Sequence, residues 1–316
     1  MTGSVSPSDR ARRRAAAVDA AVGAARELGL AVTGAKVLHD LFSVVVRLDP
    51  APVVVRVPTV LPSPVDLDAL AARQHSELDV AQWLAGHGTP VLEPSDLVPR
   101  VPVQRDGLSM TFWRYAEEVA GHEPDYVANA ASIPRLHAAL RDYPGPLTFL
   151  SSAEPWWVDR ALAGLGDRPD LLPAADLDRA RREWTALGPW VRSQAAFETR
   201  FPGAALQPVH GDAPAANVFA GVDGDRYADF ELVTLGPVEW DMATLGPVFG
   251  RAYDDAARQR GMRPLDPGVL AFTDAVGRLR ALATLLLVPQ LPELAGYLAP
   301  AVDAWRATPF AGGAAG

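Results

Sequence analysis

The strongest constraint on this chain is the spacing of polar residues within residues 209–243, which read VHGDAPAANVFAGVDGDRYADFELVTLGPVEWDMA. A short apolar run, Val218–Ala220, is followed by turn residues at 221–225, and this order predicts a β-hairpin. A loop centred on that turn would place Asn217 and Asp229 opposite each other, about 5 Å apart at Cβ. The expectation requires an odd number of loop residues, because a slip of one residue turns Asp229 to the other face.

Asn217 and Asp229 carry oxygen donors that suit a hard cation. Magnesium takes oxygen ligands at about 2.1 Å, commonly one or two from the protein, while phosphate and water fill the remaining positions. Asp212 lies upstream in Gly211-Asp212-Ala213-Pro214, which cannot continue a regular element, so we expect it on a loop near the metal end of the hairpin. A loop aspartate there is suited to orient a substrate hydroxyl and accept its proton.

The same residues resemble two motifs of the protein-kinase fold. His210-Gly211-Asp212 followed by Asn217 matches the catalytic loop H-x-D-x-x-x-x-N, and Asp229-Phe230-Glu231 matches the second metal motif. The motifs have glycine after the histidine and glutamate after Asp-Phe. In this form they are similar to those of the aminoglycoside phosphotransferase family and its choline-kinase and homoserine-kinase relatives. The resemblance implies that Asp212 is the catalytic base, that Asn217 and Asp229 hold Mg²⁺, and that His210 braces the loop.

One position departs from the family pattern. Family members usually carry histidine two residues after the aspartate, and this chain has Pro214 there. The proposed base and metal ligands are unchanged, so we interpret the proline as a rigid substitute in a bracing role. The competing interpretation of the whole stretch is an aspartate-rich hairpin in a surface loop.

Arg56 interrupts the second of two β-branched runs, residues 43–48 and 53–57, which predict a hairpin. A charge in such a strand is costly unless it is paired. The resemblance puts Arg56 where the third strand of kinases contacts the α- and β-phosphates, with Glu77 of the helix predicted over residues 66–85 as its partner. A G-x-G-x-x-G loop is absent, so backbone amides and the Ser43 hydroxyl are expected to contact phosphate. The alternatives are an arginine at a solvent-exposed edge and a solvated glutamate.

Residues 108–115, LSMTFWRY, predict a strand that occupies the place of the kinase hinge. By the resemblance, Phe112, Trp113 and Tyr115 line the nucleotide slot, although aromatic residues in a strand are as often core. Further along, His137 is expected to be a packed, hydrogen-bonded core residue. The resemblance implies that Asp241 supports the catalytic loop, and Glu239 is expected to be a solvated charge.

Composition narrows the function classes. The net charge of −9 and the pI near 5.2 argue against a nucleic-acid partner, which requires a basic face. The chain has no cysteine, which excludes disulfides and thiol catalysis. No apolar run approaches the ~18 residues that span a bilayer, so we expect no membrane partner and a cytoplasmic location.

The resemblance, together with the pattern of strands and helices, implies an α+β chain with a protein-kinase-like two-lobed fold. A tail, disordered to about residue 10, and a helix occupy residues 1–30. A small antiparallel β lobe with one main helix binds nucleotide over residues 31–115, and a larger, mostly helical lobe at 116–316 carries catalysis and the acceptor.

The predicted function is transfer of the γ-phosphoryl group of ATP, with GTP as an alternative, to a hydroxyl of a small molecule, with a cationic acceptor as one option. A kinase of the same fold with a different acceptor, namely a sugar, choline, homoserine or a macrolide, is an alternative that stays open. Two further alternatives also stay open: a nucleotide-binding module without transfer activity and a purely structural protein. The sequence predicts neither the acceptor nor the oligomeric state.

Overall fold

The structure is a computed structural model that describes residues 6–63 and 65–314. The chain divides into two compact units. The first contains the residues up to His122 together with Phe219–Glu231 and Pro289–Pro292, and the second contains Glu123–Val218, Leu232–Val288 and the residues from Glu293 onward. From Phe219 onward, the hairpin that follows the catalytic-loop motif therefore belongs to the first unit.

The first unit is built on an antiparallel sheet of five strands in the order β1-β2-β3-β5-β4. Its strands are β1 Val32–Asp40, β2 Ser43–Pro50, β3 Val53–Pro58, β4 Val103–Arg105 and β5 Leu108–Arg114. Residues 41–42 join β1 to β2, and neither is glycine. In β3 the register sets Arg56 opposite Val45 of β2 and Thr111 of β5.

Two helices pack on this sheet. Helix α1 (Pro7–Glu27) buries Ala17, Ala20, Ala21, Ala24 and Ala25 against the valines of β2 and β3. Helix α2 (Leu67–Gly86) packs on β5, where buried Gln74 hydrogen bonds to Ser109. Adjacent residues of a strand face opposite ways, so the valine-rich strands can supply one core face and one functional face.

The second unit is mainly helical. Its helices are α3 Tyr126–Leu140, α4 Pro155–Gly164, α5 Ala174–Arg192, α6 Gln194–Arg200, α7 Pro247–Gln259, α8 Pro267–Thr284 and α9 Leu294–Ala307. Helix α8 packs against α4, α5 and α9, and α3 packs along α7. A two-stranded sheet pairs β6 (Gln207–Val209) with β9 (Thr234–Gly236), one strand on each side of the catalytic-loop motif in sequence.

The predicted α+β class is confirmed, with two local differences. Helix α1 begins at Pro7, because Ser6 and Asp9 form a capping box and proline favours the first helical position. The expected disorder is therefore wrong for residues 7–10, and residues 1–5 lie outside the described residues.

The second difference concerns the hairpin, in which β7 (Val218–Gly221) pairs with β8 (Gly224–Tyr227). Two residues, Val222 and Asp223, separate the strands, so the expected odd loop is wrong. Gly224 follows the turn with φ of 111°, a backbone conformation that glycine adopts readily because it has no Cβ. Asn217 and Asp229 both lie outside the strands, and regular pairing does not set them opposite each other.

Among the helices of the described residues, none combines the length and apolar character needed to cross a bilayer.

Candidate active site

The loop that carries Asp212 is fixed by a buried carboxylate. Asp241 accepts hydrogen bonds from the backbone N–H of His210 to Oδ2 at 2.9 Å and from that of Gly211 to Oδ1 at 2.8 Å. Trp240 donates its indole N–H to the Gly211 carbonyl at 3.0 Å. Both Asp241 and Trp240 are buried. Asp241 therefore supports the loop, as the sequence predicted.

Gly211 cannot be replaced by a larger residue at this turn. Its φ is +88°, and a Cβ there would lie 1.7 Å from the carbonyl oxygen of Leu232. The left-handed backbone and the close approach both require glycine. The turn leaves Asp212 exposed, whereas the preceding His210 is fully buried. Burial of His210 suits the bracing role and keeps its ring away from solvent.

Asn217 is tied to the same loop. Its side-chain N–H groups reach Oδ2 of Asp212 at 3.4 Å and the Ala213 carbonyl at 3.3 Å. A 3₁₀ turn over Pro214–Ala216 returns the chain from Asp212 to Asn217, with Pro214 at its first position, where proline is favoured. The N–H groups of the Asn217 amide face the loop. Its carbonyl oxygen is therefore on the opposite side of the amide, where it can accept a hydrogen bond or bind a cation.

His137 lies behind the loop. It is fully buried between Tyr253 and Asp241, with Nδ1 3.0 Å from the tyrosine hydroxyl and Nε2 2.9 Å from Oδ2 of Asp241. This confirms it as a packed, hydrogen-bonded core residue. Burial raises the pKa of the Tyr253 hydroxyl, and the carboxylates of Glu239 and Asp241 raise it further.

Within the first unit, Arg56 is surrounded by carboxylates. Its guanidinium lies 3.0 Å from Oε1 of Glu77, 2.9 Å from Oδ1 of Asp229 and 2.8 Å from Oε2 of Glu231. Burial by itself would lower the pKa of Arg56, but the three carboxylates raise it above its ordinary value. The predicted pair of Arg56 and Glu77 is present, and neither side chain is solvated as the alternatives supposed. Glu231, to which the sequence analysis gave no separate role, completes the group.

A cavity of about 340 Å³ lies on this face of the sheet, and we call it the strand cavity. Arg56, Glu77 and Asp229 line it together with apolar side chains. The apolar members include Val45, Val54, Trp113, Phe219 and Phe230. Backbone bonds from Val119 to Ala220 and from Val222 to Glu117 join the hairpin to the segment after β5, which brings Phe219 and Asp229 to this cavity.

The three aromatic residues predicted to line the nucleotide slot lie in different surroundings. Trp113 lines the strand cavity, whereas Phe112 lies in the core with Val55, its partner across β3 and β5. Strand alternation is the reason, since neighbours in a strand face opposite sides. Tyr115 follows the strand, and the Arg47 guanidinium stacks over its ring at 4.1 Å. Ser43 is buried and does not line the cavity.

Asp229 has the features of a cation ligand. Its φ is +65°, which is rare outside glycine and is often retained at functional sites. Its Oδ1 is buried and, beyond the ion pair with Arg56, accepts no well-directed hydrogen bond. Among the residues described, no three or more His, Asp or Glu side chains form a preformed metal cluster. Magnesium in kinases typically needs only one or two protein carboxylates, because phosphates supply further oxygens.

A second cavity, which we call the loop cavity, lies within the second unit. It measures about 250 Å³ and is lined by Asp212 and its two neighbours, by Trp240 with Ala243 and Thr244, and by one face of α8. Glu239 does not reach it. That carboxylate is fully buried and bidentate to Arg263, at 2.6 and 3.2 Å, so the expectation of a solvated charge is wrong. A buried carboxylate requires a partner, and Arg263 is distant enough in sequence that only the fold identifies it.

Comparisons with known proteins agree with this geometry. The sequence model of the phosphotransferase enzyme family matches residues 40–282, which is more than half of the chain. No curated protein sequence is a significant match.

Solved structures share the fold at low sequence identity. The GDP complex of aminoglycoside 2'-phosphotransferase-IIIa has a TM-score of 0.59 at 14% identity, covering 91% of this chain and 97% of that one. The amicoumacin kinase hAmiN in complex with AMP-PNP, Ca²⁺ and Ami has a TM-score of 0.59 at 15% identity, with 95% of this chain and 98% of that one covered. Choline kinase LicA from Streptococcus pneumoniae has a TM-score of 0.57 at 11% identity, with 90% and 99% covered. By its family match and its protein-kinase-like fold, the chain belongs to the phosphotransferase enzyme family and is a phosphotransferase.

Proposed function

We propose that the protein transfers the γ-phosphoryl group of ATP to a hydroxyl of a small molecule. The observation that carries this proposal is the loop of Asp212, which buried Asp241 and Trp240 hold rigidly while the Asp212 carboxylate is exposed beside the loop cavity. A catalytic base needs this combination of a fixed backbone and an accessible carboxylate. The solved structures named above act on small molecules, which supports a small-molecule acceptor.

In this proposal the strand cavity holds the nucleotide. Trp113 and the apolar side chains around it suit a base, and Arg56 suits the phosphates because a guanidinium contacts phosphate through two N–H groups. Glu77 orients Arg56 from α2. ATP is the expected donor and GTP the alternative, since the solved relatives hold GDP in one case and AMP-PNP in another. Both ATP and GTP would be present at a cytoplasmic location.

We propose Asp229 and Asn217 as the magnesium ligands. The buried Oδ1 of Asp229 and the side-chain carbonyl of Asn217 are hard oxygen donors that fit this ion. The ion, when bound, neutralises charge on the phosphates. The chain's own contribution is to present these donors on fixed backbone and to place Asp212 at the acceptor.

The proposed reaction is a direct displacement. As the acceptor oxygen bonds to the γ-phosphorus, Asp212 accepts the hydroxyl proton, the bond from that phosphorus to the β–γ bridging oxygen breaks, and ADP leaves. Phosphoryl transfer depends mainly on positioning and charge stabilisation, so a rigid loop contributes directly to the rate.

The competing function is a nucleotide-binding module without transfer activity. It is favoured by Pro214 in place of the usual histidine and by the glycine-free turn between β1 and β2. The two functions separate in one assay, which measures ADP release with Mg-ATP and a panel of hydroxyl acceptors, alongside thermal shift with Mg-ATP. We expect acceptor-dependent ADP release that Asp212→Asn abolishes. A thermal shift with no phosphorylated product on any acceptor would instead establish the binding module.

A further inference from the structure

A single positively charged side chain lines the loop cavity, and this side chain belongs to helix α8. The helix contributes Gly277, Arg280, Ala281 and Thr284, whose spacing places them on one face. Among the described residues that line this cavity, Asp212 is the one carboxylate and Arg280 the one cation. The remaining lining residues are uncharged.

One ion pair holds Arg280 in place and uses only part of the hydrogen-bonding capacity of its guanidinium. Its Nη2 donates to Oε2 of Glu154 at 3.1 Å, and the two side chains are 22% and 12% exposed. Glu154 immediately precedes α4 and does not line the cavity. No other hydrogen bond joins the Arg280 guanidinium to a described residue, so the N–H groups of Nε and Nη1 can bind a second anion. Arg56 shows in the first unit that one guanidinium can serve several carboxylates.

We propose, on the basis of the proposed function, that Arg280 recognises a carboxylate of the acceptor. The acceptor is then a compact hydroxy acid, with its hydroxyl at Asp212 and its carboxylate at Arg280. The cavity of about 250 Å³ suits a compact molecule. A cationic acceptor would place its charge beside Arg280, and Asp212, the one lining carboxylate, is already needed by the hydroxyl.

The test compares acceptors that differ only in charge. Hydroxy acids, the neutral diols of the same length and the matching amino alcohols are assayed for ADP release with Mg-ATP. We expect kcat/KM for the best hydroxy acid to exceed that of its neutral and cationic counterparts at least tenfold. A preference for amino alcohols, or no dependence on charge, would overturn the inference.

Three variants then separate recognition from folding. Arg280→Gln should raise KM for the hydroxy acid at least tenfold and leave KM for the neutral diol unchanged. Arg278→Gln is the matched control, since Arg278 lies on the same helix with the same 22% exposure, pairs with Asp274 and does not line the cavity. Glu154→Gln removes the ion pair and keeps the guanidinium, so hydroxy-acid binding should persist. Equal losses in Arg280→Gln and Glu154→Gln would show that the ion pair is only structural.

Calorimetry distinguishes this inference from the proposed function. If no acceptor is phosphorylated, binding of the three acceptor series to the wild-type protein still decides the role of Arg280. Tighter binding of hydroxy acids that is lost in Arg280→Gln supports it, and the absence of that preference refutes it. Failure of Mg-ATP to bind would refute the proposed function instead.

Discussion

Asp241 and His137 form a fully buried pair, with 2.9 Å between Oδ2 and Nε2, and the same carboxylate anchors the backbone of the catalytic loop. A single side chain therefore links helix α3, which carries His137, to the turn that presents Asp212. The rigidity of the proposed base depends on a residue that does not contact substrate.

The first prediction concerns that anchor. Asp241→Ala leaves two backbone N–H groups and a histidine nitrogen buried without their acceptor, so we expect the free energy of unfolding to fall by about 3 kcal/mol. Urea denaturation measures this loss. Asp274→Ala is a suitable control because its carboxylate is only partly buried and accepts one backbone hydrogen bond, from Thr244. An equal loss of stability in the two variants would contradict the anchoring role.

Asp212→Ala should act on turnover and not on folding. Asp212 is exposed, so its removal leaves no buried group unpaired, and we expect kcat to drop by about 10²–10⁴. Mg-ATP affinity from calorimetry should stay within about twofold of the wild type, because the base acts on the acceptor. Unchanged kcat would remove Asp212 from its proposed role.

Asp229→Asn should weaken binding of magnesium-nucleotide. Loss of a charged oxygen donor should raise the Kd for Mg-ATP at least about tenfold, an effect on the order of 1.4 kcal/mol. Glu231→Gln is the matched control, since Glu231 contacts the same guanidinium at a similar distance but is not a proposed ligand. If both variants weaken Mg-ATP equally, the effect belongs to Arg56 and the metal assignment is wrong.

Trp113 and Phe112 should differ in what their loss affects. Trp113→Ala removes a wall of the strand cavity and should raise the Kd for nucleotide, measured by calorimetry. Phe112→Ala removes a ring from the core and should lower the free energy of unfolding by about 3 kcal/mol. Nucleotide affinity that depends on Phe112 and not on Trp113 would contradict the assignment of the cavity.

Glu77 should make stability depend on pH. Burial raises the pKa of Glu77 to about 8, while Arg56 opposes this rise and the carboxylates of Asp229 and Glu231 add to it. Folded protein then holds a proton that the unfolded chain, with a glutamate pKa of 4.5, releases. The free energy of unfolding should therefore fall as the pH rises from about 4.5 towards about 8.

Urea denaturation of the wild type and of Glu77→Gln across this pH range checks the sign. Glutamine cannot ionise, so the variant should lose this part of the slope. Parallel curves for the two proteins would show that Glu77 does not bind the extra proton.

The sequence predicted strands β2, β3 and β5 and helix α2 of the first unit because their signals are local. Valine-rich runs, the Arg56 that interrupts one of them and the helix carrying Glu77 are all visible within short windows. Phe112 was misassigned although its alternation with Trp113 was available, since the strand period places them on opposite faces. The hairpin loop was miscounted because glycine permits both an even and an odd turn.

By itself, the sequence determined the kinase-like order of His210, Asp212, Asn217 and Asp229, because motif spacing is a property of the chain. Tertiary structure alone decided that Glu231 joins Glu77 around Arg56, that Arg263 pairs with Glu239, and that Arg280 lines the loop cavity. These partners lie far apart in sequence, and burial makes each charge depend on whichever opposite charge the fold brings near it. No local pattern contains that information.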